Sequence, residues 1–168
     1  TVTRQHANYV YKNKWEEGEH TEEDIAELIN EVPEHDVLVG GFPCQGFSVA
    51  NTKRSMEDER NFLYKELMRL VKDKQPKYFI GENVKGLLSI QKGQVIDMIV
   101  NDFKSLGYDV EYRLLKASDY GVPQNRVRVY IVGFKSKKYF SKFQHPKASK
   151  QNSTLSKLLD FEVNHEEI

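Results

Sequence analysis

The sequence predicts an α/β protein whose sheet is mostly parallel and ends in an antiparallel hairpin. Two patterns carry that prediction. Short apolar runs closed by glycine alternate with longer segments whose apolar residues recur at helical spacing, and the last two strand-like segments flank a short loop that holds Gly121 and Pro123. Length sets the scale: 168 residues suffice for one domain with a sizeable core and leave little room for a second.

Taken in chain order, "RQHANYVYKN" at 4 to 13 reads as a helix, and Thr21 with Asp24 can open a second, short one through "EEDIAELIN". "DVLVGG" at 36 to 41 is an apolar run ending in glycines, the pattern of a buried strand. Over 61 to 74, Phe62, Leu63, Leu67, Leu70 and Val71 recur at helical spacing. "PKYFIGENV" supplies a second buried strand, expected over 77 to 81. Val95, Ile96, Ile99, Val100, Phe103 and Leu106 outline a further helix, which Gly107 stops. "YDVEYRLLKA" and "RVRVYIVGF" read as strands joined through "SDYGVPQN". There is no internal repeat and no low-complexity tract.

Charge is balanced overall, with 25 basic and 25 acidic residues, so the whole-chain field names no partner. Its distribution says more. No Lys or Arg falls between Trp15 and Thr52, where Glu16, Glu17, Glu19, Glu22, Glu23, Asp24, Glu27, Glu31, Glu34 and Asp36 accumulate. From 135 to 159 the sign reverses: Lys135, Lys137, Lys138, Lys142, Lys147, Lys150 and Lys157 occur without an acid. Such a run suits a polyanion such as nucleic acid, or a solvated loop. Cys44 is the sole cysteine, which rules out an internal disulfide, and no Cys/His cluster has metal-ligand spacing. No metal is expected. The sequence contains neither a signal peptide nor an apolar run of membrane-spanning length, and a cytoplasmic protein fits best.

Ligands of open α/β sheets gather beyond the carboxyl ends of strands. "PCQ" follows the first predicted strand, "ENV" follows the second and "QNRVR" leads into the last, so a thiol, a carboxylate and two arginines are expected at one crevice. Each has an ordinary alternative. A lone cysteine is often inert core, Glu82 and Asn83 can serve a turn, and Arg126 and Arg128 can pair with exposed acids. Around Cys44, however, Gly40, Gly41 and Gly46 permit close approach of a ligand, Pro43 stiffens the turn, and a neighbouring arginine would favour the thiolate.

Together, "GFPCQGFS", "ENV" at 82 to 84 and "QNRVR" at 124 to 128, in this order and at these separations, resemble the cytosine-5 DNA methyltransferases. "EHDVLVGGFPCQ", "DERNFLYKELMRLV" and "LLKASDYGVPQNRVRVYIVG" extend the resemblance over about residues 2 to 160. It implies a Rossmann-like, S-adenosylmethionine-dependent methyltransferase fold. It further implies that Cys44 adds to carbon 6 of a cytosine, that Glu82 acts at nitrogen 3, and that Arg128, supported by Arg126, stabilises charge at the base's carbonyl oxygen. By the same resemblance Asp24, Ile25, Pro43 and Leu63 line the S-adenosylmethionine pocket. Contacts to a flipped base and its DNA fall to Gln45, Ser48, Lys53, Arg54, Asn83 and Val84, with 48 to 61 as a loop closing over the cytosine.

The family's glycine-rich turn and ribose-binding acid are missing at the amino-terminal side, as is its target-recognition region at the other. Residues 1 to 160 are therefore expected to form the central part of a catalytic domain incomplete at both ends, with 161 to 168 starting the connection to the recognition region. The partner implied is double-stranded DNA, the role that of a bacterial restriction-modification methylase, with a separately encoded endonuclease as a possible companion and a monomer as the expected state. A transfer-RNA cytosine-5 methyltransferase and a catalytically silent nucleic-acid-binding relative are the alternatives.

Overall fold

The computed structural model describes residues 25–42 and 63–149. The helix expected at 4 to 13 lies outside them. The chain divides between Pro33 and Glu34 into two compact units. In the first, "EEDIAELIN" is helical over Ile25–Leu28 (α1), and the Glu31 and Val32 amides donate to the Leu28 carbonyl as the turn ends.

The second unit carries the sheet. Its elements are strand Val37–Gly41 (β1), helix Leu63–Lys74 (α2), strand Tyr78–Val84 (β2), a run of 3₁₀ turns over Lys85–Gly93, and helix Gln94–Ser105 (α3). Strand Asp109–Lys116 (β3), a 3₁₀ turn at Ala117–Tyr120, strand Val127–Phe134 (β4) and the short helix Lys137–Phe140 (α4) follow. The amphipathic spacing places Tyr64, Leu67, Leu70 and Val71 of α2, and Val95, Ile96, Ile99, Val100 and Phe103 of α3, in the interior. Gln75 ends α2 in a left-handed conformation (φ 46°), which its own side chain stabilises by donating to the Val71 and Lys72 carbonyls at 3.3 and 3.1 Å. Gly107, at φ 87°, ends α3 as its position in the sequence predicted.

The strand order is β1-β2-β4-β3. Only β1 and β2 pair in parallel among the described strands, while β4 runs antiparallel to both β2 and β3. The sheet is thus mixed, not mostly parallel, although the terminal hairpin is present. Helix and strand alternation does govern direction: β3, which follows α3, points the same way as β1 and β2. The hairpin then folds inward, so its second strand fills the gap beside β2 and separates the strands that share a direction.

Both α2 and α3 pack on one face, where Phe79, Val110, Val129 and Ile131 join Leu67, Val71, Ile99 and Phe103 in the core. The Tyr64 hydroxyl donates to Asp102 at 2.7 Å and ties the two helices together. Phe79 lies across Gly133, its register partner on β4, and stacks on Phe103 with centroids 4.3 Å apart. A side chain at 133 would occupy the ring's own volume, which is why glycine stands there. None of the described helices is long and apolar enough to cross a membrane.

Candidate functional site

The carboxyl ends of β1 and β2 and the amino end of β4 meet at one edge of the sheet. There Gly41 pairs with Glu82, and Val84 with Arg128. Sequence reasoning ended the second strand at residue 81, with "ENV" beyond it. In the structure the ladder to β4 continues through Val84, so Glu82, Asn83 and Val84 are strand residues. This changes what they can do. Strand residues project alternately to opposite faces, so Glu82 and Asn83 act on different sides of the sheet.

Glu82 projects to the face opposite α2 and α3. Alternation on the antiparallel neighbour brings Arg128 to the same face. Its Nε lies 2.9 Å from Glu82 Oε1, and Arg126 Nη2 approaches that same oxygen at 3.4 Å. Arg128 is further held by its Nη1, which donates to the Val127 carbonyl at 2.9 Å. Two guanidinium groups on Oε1 hold the carboxyl at a defined angle and turn Oε2 toward Gly41, where a Cβ would stand 3.5 Å from it. The cluster is partly open: side-chain exposure is 31% for Glu82, 23% for Arg128 and 49% for Arg126. Ion pairs this exposed add little to stability, about 0–1 kcal/mol, so their consequence is orientation.

Asn83 projects the other way and is 2% exposed. Its Nδ2 donates to the Phe42 carbonyl at 2.9 Å, and its Oδ1 accepts from the Val84 amide at 2.8 Å. The Phe42 amide in turn donates to the Glu82 carbonyl at 3.4 Å. Phe42 is also buried through its ring, which lies against Tyr64 with centroids 6.2 Å apart. Backbone and ring together anchor the last residue before Pro43 and Cys44. Sequence reasoning missed Phe42; the signal for it was a large apolar residue wedged between a glycine-ended strand and a proline.

The structure therefore brings Glu82, Arg126 and Arg128 together, sets Asn83 behind them on the backbone, and leaves Val84 41% exposed at the strand end. Ile25 sits in α1, 40% exposed, in the first unit, and Leu63 opens α2. Asp24, Pro43, Cys44, Gln45, Ser48, Lys53 and Arg54 lie outside the described residues. No group of three or more metal-ligating side chains occurs among the described residues.

The α/β fold recurs in solved structures. The Entamoeba histolytica methyltransferase EhMeth matches with a TM-score of 0.66 at 20% identity, covering 94% of this chain and 50% of that one. At the level of sequence, the model of the C-5 cytosine-specific DNA methylases matches residues 3–168, and the chain belongs to that family. Among its relatives, the Type II methyltransferase M1.ScrFI of Lactococcus lactis subsp. cremoris is 42% identical over 146 residues, 85% of this chain and 38% of the relative. M.HhaI, a Type II methyltransferase of Haemophilus parahaemolyticus, is 36% identical over 173 residues, 95% of this chain and 53% of the relative. The chain thus spans about half or less of the length of these relatives.

Proposed function

We propose that this chain carries the catalytic centre of a DNA cytosine-5 methyltransferase, which moves a methyl group from S-adenosylmethionine to a cytosine flipped out of duplex DNA. The observation that carries the reading is the Glu82 carboxyl, fixed by Arg128 and Arg126 and turned toward Gly41, two residues before Pro43 and three before Cys44. Carbon 5 of cytosine is too weak a nucleophile to take a methyl group directly. A thiolate from Cys44 adds to carbon 6, the ring becomes enamine-like, and carbon 5 attacks the sulfonium methyl, breaking its bond to sulfur so that the donor leaves as a neutral thioether. Charge that develops toward nitrogen 3 meets Glu82, and charge on the carbonyl oxygen meets Arg128, with Arg126 supporting the carboxyl. Loss of the carbon 5 proton then expels the thiolate and restores the ring.

S-adenosylmethionine supplies the electrophilic methyl group; Asp24, Ile25, Pro43 and Leu63 are proposed to line its pocket. Gln45, Ser48, Lys53, Arg54 and Val84 are proposed to face the flipped base and its strand, with Asn83 bracing them through the backbone. Relatives named as Type II methyltransferases support a restriction-modification role, and the proposed setting is the DNA of a bacterial cytoplasm.

The test is covalent trapping. A duplex containing 5-fluorocytosine blocks the final elimination, so with S-adenosylmethionine present an adduct accumulates on the attacking residue and is located by mass spectrometry. The expected adduct is on Cys44 and is lost in Cys44→Ser. An adduct at another residue removes Cys44 from the mechanism. Adduct formation with a 5-fluorocytosine transfer RNA and not with duplex DNA moves the substrate to RNA, and none with either, from this chain or from a longer protein that also carries the missing cofactor and recognition motifs, makes it a silent relative.

A further inference from the structure

The basic run at 135 to 159 is continuous in sequence, yet the fold sends the parts of it that lie among the described residues to opposite ends of the sheet. β4 begins beside Val84, at the Glu82 edge, and ends beside Tyr78, where the Lys135 amide donates to the Lys77 carbonyl. Lys135 follows that far end directly, and Lys137 and Lys138 lie in α4 immediately beyond. Eight residues of strand separate the two ends, about 23 Å at ~3.3 Å per residue. That exceeds by severalfold the screening length of about 8 Å at physiological salt.

The chain then returns. Phe143 packs on Phe134 with ring centroids 4.9 Å apart, and His145 Nε2 reaches Glu111 on β3 at 2.8 Å. The Tyr120 hydroxyl donates to the Pro146 carbonyl at 3.2 Å, and the Ser149 amide donates to the Asp119 carbonyl at 2.6 Å. Asp119 and Tyr120 belong to the turn that opens where Ala117 bonds the Arg126 carbonyl, which is the Glu82 edge again. Residues 143–149 are a strap that carries Lys147 back to the Ala117–Tyr120 turn, at the end of the sheet where the candidate site lies. Lys116, paired beside Val127, and Lys85, the residue after β2, are exposed at the same edge.

We infer that Lys85, Lys116 and Lys147 form a phosphate-contacting rim for duplex DNA around the Glu82 edge, and that Lys137, Lys138 and Lys142 take no part in it. This rests on the proposed function and names the surface its substrate meets. Each lysine that displaces a counterion from B-DNA should contribute about 0.9 to the slope of log binding constant against log salt.

The experiment measures that slope by fluorescence anisotropy, with the full chain and a labelled mixed-sequence duplex. Lys85→Ala/Lys116→Ala/Lys147→Ala should lower the slope by about 2–3, and Lys137→Ala/Lys138→Ala/Lys142→Ala should leave it within about half a unit of wild type. Wild-type binding with equal losses in both triple variants, or a loss only in the second, overturns the rim and leaves the proposed function standing. A wild-type chain without salt-dependent binding to the duplex overturns the nucleic-acid reading together with the rim.

Discussion

Replacing Asn83 tests how the loop leading to Cys44 is held. In Asn83→Ala two backbone groups lose their partners at once: the Phe42 carbonyl, bonded at 2.9 Å, and the Val84 amide, bonded at 2.8 Å. With Asn83 2% exposed, water has little access to the Phe42 carbonyl, while the Val84 amide, at a strand end 41% exposed, can be partly rehydrated. An unsatisfied buried polar group costs about 1–3 kcal/mol and the half-open Val84 amide adds less, so the variant should lose about 1–4 kcal/mol, part of a total that for such domains is ~5–15 kcal/mol. The sheet should survive. Asn83→Asp keeps an acceptor for Val84 but sets an oxygen against the Phe42 carbonyl, and should lose at least as much at neutral pH. Urea unfolding followed by circular dichroism reads the stability. Single-turnover adduct formation with a 5-fluorocytosine duplex reads the consequence for Cys44, and should fall more than DNA affinity does. If Asn83→Ala unfolds within about 0.5 kcal/mol of wild type, the hydrogen-bond reasoning is refuted.

Gly133→Ala should destabilise at the upper end of the about 1–3 kcal/mol typical of overpacking, because Phe79, held by Phe103 and Tyr108, cannot swing away; a wild-type urea midpoint would contradict the packing described. Arg128→Ala should slow adduct formation by about 10- to 100-fold and more than Arg126→Ala, since Arg128 is nearer Glu82 and less exposed; the opposite ranking in single-turnover rates would reverse their roles. Burial pushes the Tyr108 phenol up to about 12, against about 10 in an unfolded chain, so its contribution is complete below about pH 10 and declines as pH rises toward 12. The expected loss is about 1 kcal/mol by about pH 11, and a Tyr108→Phe variant with the same alkaline decline in urea midpoint would show that the phenol is not its source.

Local pattern was enough for most elements of the second unit. The period of Leu67, Leu70 and Val71 and that of Val95, Ile99 and Phe103 mark two helices, because burying one stripe against a sheet requires that spacing. Gly107 marks a helix end because its left-handed conformation suits glycine. The grouping of three charged residues was legible too. Thiol, carboxylate and arginine stand in short motifs, and rules for strand ends place Glu82 and both arginines at one edge, where the structure has them within 3.4 Å.

Other features depend on which strands become neighbours, and no local period encodes that. The inward fold of β3 and β4 put an antiparallel strand beside β2 and made the sheet mixed. The ladder it formed lengthened β2 through Val84, and alternation along that added stretch sent Glu82 toward the arginines and Asn83 toward Phe42. The same pairing parted lysines adjacent in sequence, since a strand of eight residues carries its two ends to opposite edges. The sequence by itself determined where the main helices and strands of the second unit lie and which charged groups stand near strand ends, because propensity and side-chain chemistry are local. Tertiary structure alone decided how those groups share faces and edges, because hydrogen-bond registry between distant segments sets the direction of every side chain on a strand.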